Sequence, residues 1–259
     1  MLKKRIIFTL LYNDGHFCLS RNFNLQKVGD VKWLIENYDF YNILENIDEL
    51  MILNISKAKN GERYSEKFFN DFDNLFSKAF VPISMGGGIK NFATAKKLFE
   101  KGADKIILNT AFFKNEELIK KLVNTYGSQS IISSIDYRIS ETGNLTIYTD
   151  NGSEKIDLSI SDCINYVQDL GAGELFLNSI DRDGLGYGYD FKIVDEISNI
   201  CKIPLVKAGG ADNHLELLKG INHKFIDACS TSHLFNFMGN GLVETRLKMI
   251  ELKANIPLR

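Results

Sequence analysis

Pro82-Ile83-Ser84-Met85-Gly86-Gly87-Gly88, followed 22 residues after Gly88 by Thr110, returns in the chain as Pro204-Leu205-Val206-Lys207-Ala208-Gly209-Gly210, followed 22 residues after Gly210 by Ser232. In each copy a β-like run begins after a proline and ends in Gly-Gly, and the hydroxyl residue closes the next apolar run. The offset is 122 residues, nearly half of the 259-residue chain. Upstream, Glu49-Leu50-Met51-Ile52-Leu53-Asn54 matches Glu174-Leu175-Phe176-Leu177-Asn178 at an offset near 124, and Arg5–Leu11 matches Ile131–Asp136 at an offset of 125. The chain is therefore a duplication. The strand that ends in Asp136 has a counterpart that ends in Leu11. A fold with two-fold symmetry sets these side chains across one mouth, an acid facing a group that cannot move a proton.

Short apolar runs rich in β-branched residues alternate with longer amphipathic segments throughout. Strands are expected near 5–11, 49–54, 81–85, 104–109, 130–136, 173–179, 203–208 and 225–231. Helical patterns lie between them, among them Asp30–Tyr41, Asn91–Lys101, Glu116–Tyr126, Ser161–Leu170 and Asp190–Cys201. Asp30, Asn91, Ser161 and Asp190 read as N-caps, and Gly102 and Gly171 stand just past helix ends. Strand-helix alternation repeated eight times implies parallel pairing, and near-continuous apolar runs such as Lys105-Ile106-Ile107-Leu108 suit strands buried on both faces. With the half-chain repeat this favours a single closed (β/α)8 barrel over residues 1–259, a TIM barrel, rather than an open doubly wound sheet. The length is that of one such barrel. Two stretches break the rhythm. Residues 12–29 form a long first strand-to-helix loop over the catalytic face, and residues 138–157 read as a β-hairpin insertion around Asn151-Gly152.

The net charge of −2 and a pI near 6 leave no footprint for nucleic acid. The lysines interleave with acids, as on solvated helix faces. Cys18, Cys163, Cys201 and Cys229 are scattered, and His16, His214, His223 and His233 show no ligand spacing, so no metal and no cofactor are expected. The thiols read as reduced and structural in a cytoplasmic protein. The apolar run after Lys3-Lys4-Arg5 stops at Asn13-Asp14-Gly15, too soon for a signal peptide. No stretch is long enough to span a bilayer, so no membrane partner is expected.

Each Gly-Gly follows a strand and precedes a segment able to start a helix. Glycine lets the backbone approach an anion, and a helix N-terminus directs N–H groups and positive dipole toward it. With Thr110 and Ser232 at the ends of the next strands, each half makes a candidate phosphate cradle. Two cradles across a two-fold axis suit a ligand with a phosphate at each end. Asp181-Arg182-Asp183-Gly184 follows the sixth strand, at the C-terminal end where barrel enzymes keep their sites.

A set of longer motifs joins these: Lys4-Arg5-Ile6-Ile7, Asn22-Phe23, Val28-Gly29-Asp30, Gly86-Gly87-Gly88-Ile89, Gly102-Ala103-Asp104-Lys105, Gly127-Ser128-Gln129, Gly171-Ala172-Gly173-Glu174, Ser179–Gly184 and Gly188-Tyr189-Asp190. On them the chain resembles HisF, the cyclase subunit of imidazole glycerol phosphate synthase, over essentially its whole length. The resemblance implies a (β/α)8 barrel with a glutaminase, a HisH-like subunit, on its N-terminal face. Ammonia from that partner would cross the barrel core to a bis-phosphate ribosyl substrate at the C-terminal face. It assigns the acid-base pair to the ends of the first and fifth strands, which here are Leu11 and Asp136. Leu19 stands where the family has a loop lysine, Asn54 where it has an aspartate, and Ala208 and Thr231 where it has serine and alanine. Gly88, Asn109, Thr110, Asp183, Gly184, Gly210 and Ser232 match phosphate-binding or active-site positions. Arg5, Glu49, Lys105 and Glu174 match a ring that lines the ammonia entrance, and Asp104 matches a residue facing the glutaminase.

Ammonia entry is thus expected to be kept and cyclase chemistry damaged. This resembles a divergent HisF branch found beside sugar amidotransferases, where the barrel helps supply ammonia for amidination of a surface-polysaccharide sugar. Three rival readings stay open. One is a histidine-pathway cyclase that forms imidazole glycerol phosphate and AICAR. Another is a non-catalytic scaffold or activator of the glutaminase. The last is a sugar-phosphate isomerase like HisA, which would need an acid at position 11.

Overall fold

The computed structural model describes residues 2–57, 63–76, 79–232 and 241–258. Eight strands form the barrel: β1 (Arg5–Asn13), β2 (Glu49–Asn54), β3 (Ile83–Gly86), β4 (Lys105–Leu108), β5 (Ile131–Ile139), β6 (Glu174–Ser179), β7 (Leu205–Ala208) and β8 (Ala228–Thr231). Every neighbouring pair is parallel, and the cylinder closes through β8 on β1. Helices in the connections cover the outside, so the fold is a (β/α)8 barrel.

Side chains alternate across each strand. Ile6, Phe8 and Leu10 of β1 pack outward into the main apolar core beneath the helices. Ile7 points inward, where it meets Met51, Ile107, Ile132, Phe176, Val206, Ala208 and Ala228 in a separate cluster filling the lumen. The same alternation assigns Arg5, Thr9 and Leu11 to the lumen.

Strands 1 and 5 overrun their expected ends, and both continue into antiparallel structure. β1 pairs with a strand at His16–Arg21, which pairs with another at Asn24–Gly29. β5 pairs with Leu145–Thr149, which pairs with Glu154–Ile156. The first connection is therefore built of strands rather than irregular loop. Both hairpins stand at the C-terminal mouth and are mates under the half-chain repeat.

Three helix expectations shift. The pattern over 30–41 divides at Asp39, whose φ of 48° ends the helix Val31–Tyr38 before a second at Phe40–Glu45. The helix expected from Ser161 starts at Ile160 under Ser159, which caps the Asp162 N–H at 3.1 Å while its hydroxyl donates to the Asp162 carboxylate at 2.7 Å. An acid at that position answers the capping hydroxyl, and Ser161 has no such partner. The helix from Asp190 ends at Ile197, where the Ser198 hydroxyl donates back to the Asp195 carbonyl at 2.7 Å. Asn91 and Asn213, 122 residues apart, each cap the helix three residues after their Gly-Gly turn.

Candidate functional site

At the N-terminal mouth four charges close a ring. Arg5 donates to Glu49 at 2.7 Å and to Glu174, while Lys105 donates to Glu49 at 3.1 Å and to Glu174 at 2.9 Å. Signs alternate around the circle, so each charge touches two opposites. Glu49 and Glu174 are repeat mates on β2 and β6, whereas the cations are the first residues of β1 and β4, whose counterpart strands β5 and β8 begin with Ile131 and Ala228. The duplication is broken here so that the ring is neutral. Both glutamates are almost fully buried, and the cations keep a fifth to a quarter of their side-chain surface in solvent. Burial alone would raise Glu174, but the hydrogen bonds and charges of Arg5 and Lys105 hold its carboxyl below the usual range. Burial opposes the Arg5 charge, and the two glutamates outweigh it. The Ser84 hydroxyl donates to the free oxygen of Glu49. Sequence reading missed Ser84; a lone polar residue at an inward position of an apolar strand was the available signal.

Asp104 sits on the same rim, where its carboxylate accepts the Ile83 N–H at 2.8 Å. Asp48 does the same for Ile6 at 2.9 Å, and Asp227 for Leu205 at 2.9 Å. An aspartate immediately before β2, β4 and β8 thus ties the start of the neighbouring odd strand. Asp104 has a role in the fold itself, and its residue surface remains exposed.

Above the ring the lumen is apolar, with Ile7, Met51, Ile107, Ile132, Phe176, Val206 and Ala228 almost wholly buried. Such a layer admits a small neutral molecule far more readily than an ion.

The C-terminal mouth is built around one carboxylate. Asp136, on β5, accepts from Asn109 at 3.0 Å and from Asn178 at 3.2 Å. Burial pushes its carboxyl up to about 7; the Asn178 and Ser134 hydrogen bonds oppose the rise, and the nearby Asp183 charge adds to it. Leu11 stands at the inward position of the diametrically opposed β1, above a Thr9–Ser230 hydroxyl pair 2.7 Å apart. Leu19 packs against the outer core instead of the lumen. Asn54 falls on the outward alternation, binding the Arg63 carbonyl at 3.0 Å and the Ser56 N–H at 3.1 Å.

Asp183 fastens the first hairpin over this mouth. Its carboxylate accepts from Ser20 and from the Phe23 N–H at 3.2 Å, and its carbonyl accepts the Asn22 N–H at 3.0 Å. Burial raises the Asp183 carboxyl, and those same bonds oppose the rise. Gly184 lies against the Ser20 carbonyl, where a Cβ would collide.

Gly87-Gly88 and Gly209-Gly210 follow β3 and β7, and Thr110 and Ser232 follow β4 and β8. Thr110 opens a short helix after β4, and its hydroxyl accepts the Asp150 N–H of the second hairpin at 3.1 Å. Arg63 lies across Gly88. On the other side Gly210, at φ +117°, presses on the Gly188 carbonyl, and the Gly188 N–H returns a bond to the Gly210 carbonyl at 3.0 Å. Ser232 follows β8 directly; His233 lies outside the described residues.

A closed parallel barrel with repeat-related Gly-Gly turns at one end and a charge ring at the other defines a half-barrel duplication class. The model of the histidine biosynthesis protein family matches residues 6–237, and the chain belongs to that family. It is 43% identical, over 95% of its length and 90% of the relative's, to a protein of Parasynechococcus marenigrum (strain WH8102) named provisionally as imidazole glycerol phosphate synthase subunit hisF2. It is 34% identical to the imidazole glycerol phosphate synthase subunit HisF of Chlorobaculum tepidum over 92% of both chains. Against HisF of Dictyoglomus thermophilum the identity is 33%, over 92% of this chain and 91% of the relative.

Proposed function

We propose that this chain is the ammonia-conducting barrel of a glutamine-dependent complex, seated on a HisH-like glutaminase and serving a sugar amidotransferase that amidinates a surface-polysaccharide sugar. The observation that carries this reading is the contrast between a complete ring, Arg5–Glu49–Lys105–Glu174, and an acid-base pair reduced to Asp136 opposite Leu11. Ammonia released beneath the ring would enter when one ion pair opens and cross the apolar lumen as the neutral molecule. It would emerge beside Asp136, Asn109 and Asn178. The outer carboxylate oxygen of Asp104 would meet the glutaminase. The Gly86-Gly87-Gly88/Thr110 and Gly209-Gly210/Ser232 cradles would hold a phosphorylated small molecule.

The second reading, a histidine-pathway cyclase, is favoured by the names of the HisF relatives and by the retained Asp136. General acid-base catalysis typically contributes 10²–10⁴-fold per positioned group, so a ring closure needing two carboxylates should be crippled by Leu11. Mixing the purified barrel with a HisH-type glutaminase tests the main reading. A stable complex with faster glutamine hydrolysis is expected; two proteins that elute separately, with hydrolysis unchanged, would refute it.

A further inference from the structure

Lys207 is fully buried on the outward face of β7, one residue before Ala208 and the Gly209-Gly210 turn. Its amine donates to the Ala208 carbonyl at 2.8 Å and to the Leu177 carbonyl of β6 at 3.2 Å, and it lies 5.1 Å from the centre of the Tyr137 ring. Among the described residues no carboxylate comes within 4.0 Å of it. Asp190 is the acid that acts on it from a distance, and the Asp190 carboxylate already accepts the Tyr137 hydroxyl at 3.2 Å and caps the helix Phe191–Ile197. Arg182, from the loop after β6, adds a like charge, and the Cys229 thiol of β8 completes the titratable groups around the amine.

An ammonium group buried without a counter-ion is costly, and an apolar side chain would fill this place at no such cost. The expense has a use if an anion comes to the other side of the strand end. A peptide unit is planar and trans, so its C=O and N–H point in opposite directions. With the Ala208 carbonyl held by the amine, the Gly209 N–H of the same peptide points the opposite way. A charged donor on the carbonyl also polarises the amide and strengthens its N–H as a donor. Arg182 supports the same turn from the other flank, donating to the Tyr187 carbonyl at 2.9 Å and to the Gly188 carbonyl at 3.2 Å, beside Gly210.

We propose that Lys207 is a positioning residue for an anion site at Gly209-Gly210, aiming the Gly209 amide at a phosphate monoester dianion and supplying positive charge behind it. This rests on reading the Gly-Gly turn as a phosphate cradle. Burial lowers the free amine to about 7 against the opposing charge of Asp190, so an arriving dianion would raise it and draw a proton.

The test is calorimetric titration of the whole protein with inorganic sulfate, a dianion that does not itself titrate near neutrality, at pH 6 and pH 9. Wild type should bind about tenfold more weakly at pH 9, one unit of coupling being one factor of ten. At pH 8 binding should take up protons, read from wild type alone in two buffers of different ionisation enthalpy. Lys207→Met should bind weakly at both pH values with no proton uptake. Equal binding and equal pH slope in Lys207→Met would overturn the role of Lys207 and leave the cradle standing. Wild-type binding without proton uptake would overturn it too, even if Lys207→Met does not fold. Failure of wild type to bind sulfate at either pH would overturn the cradle and the proposal together.

Discussion

The two mouths of this barrel hold charge in opposite ways. At the N-terminal mouth four buried or half-buried charges satisfy one another around a closed circle. At the C-terminal mouth Asp136 is held by neutral donors, the amides of Asn109 and Asn178 and the Ser134 hydroxyl, with Leu11 at the inward position of the opposed strand. Both ends descend from the same duplication. At one end the halves differ so that the charges complement each other, and at the other so that Asp136 faces Leu11. Passage of a small molecule needs only the first; a two-carboxylate reaction needs an acid at both positions of the second.

Cyclisation is where this contrast should show its largest effect. Given ammonium salt and the bis-phosphate ribosyl substrate, the purified barrel should turn over at least 100-fold more slowly than the enzyme median of roughly 10 s⁻¹. Leu11→Asp alone should not restore the rate, because Leu19 and Asn54 also differ. A wild-type turnover within about tenfold of that median would erase the distinction between the mouths.

Deleting one charge at each end should change stability with opposite signs. Glu174→Gln leaves Arg5 and Lys105 short of a partner and should destabilise by about 2 kcal/mol near neutral pH, less than a wholly buried pair because both cations reach solvent. Glu174 is held below its unfolded range, so its contribution is present above about pH 4 and lost as pH falls further. Asp136→Asn should stabilise instead. With its carboxyl raised to about 7, the native state of the wild type binds the extra proton, and stability falls as pH rises from about 4 to 7. The melting temperature of Asp136→Asn should therefore exceed wild type by roughly 3–8 °C at pH 8, with the gap closing toward pH 4. Melting curves of both variants across pH check this, and two shifts of the same sign would contradict it.

The smallest effect concerns the hairpin at the C-terminal mouth. Ser20→Ala removes one bond to Asp183 and should cost about 1–2 kcal/mol, seen as faster amide exchange over residues 16–29. The 145–156 hairpin should exchange as before, and equal loosening of both would mean that they move as one.

Much of this was legible before the structure. Barrel and register of the halves follow from strand patterns that recur at 122–125 residues, because a buried parallel strand must be apolar along most of its length; the ring positions came only from the resemblance to HisF. The 138–157 hairpin was legible because Asn151-Gly152 sits between alternating residues. Its mate was not, although Asp14-Gly15 is a turn signal of the same kind, at φ 50° and 86°. The second turn of that meander, Asn22-Phe23, puts a phenylalanine at φ 66°, a residue no turn rule favours. Lys207 stayed hidden because an inward or outward side chain on a doubly buried strand looks the same in sequence. Ser84 stayed hidden because its use depends on Glu49 of another strand.

The most direct measurement takes the barrel with its glutaminase and the nitrogen-accepting enzyme and follows the ratio of aminated product to glutamine consumed. Wild type should couple the two closely. Lys105→Ala and Arg5→Ala should keep hydrolysing glutamine while the ratio falls, ammonia leaking to solvent at a broken ring. A ratio unchanged in both variants would mean that ammonia does not pass through this mouth, and that the barrel serves its partner as a scaffold.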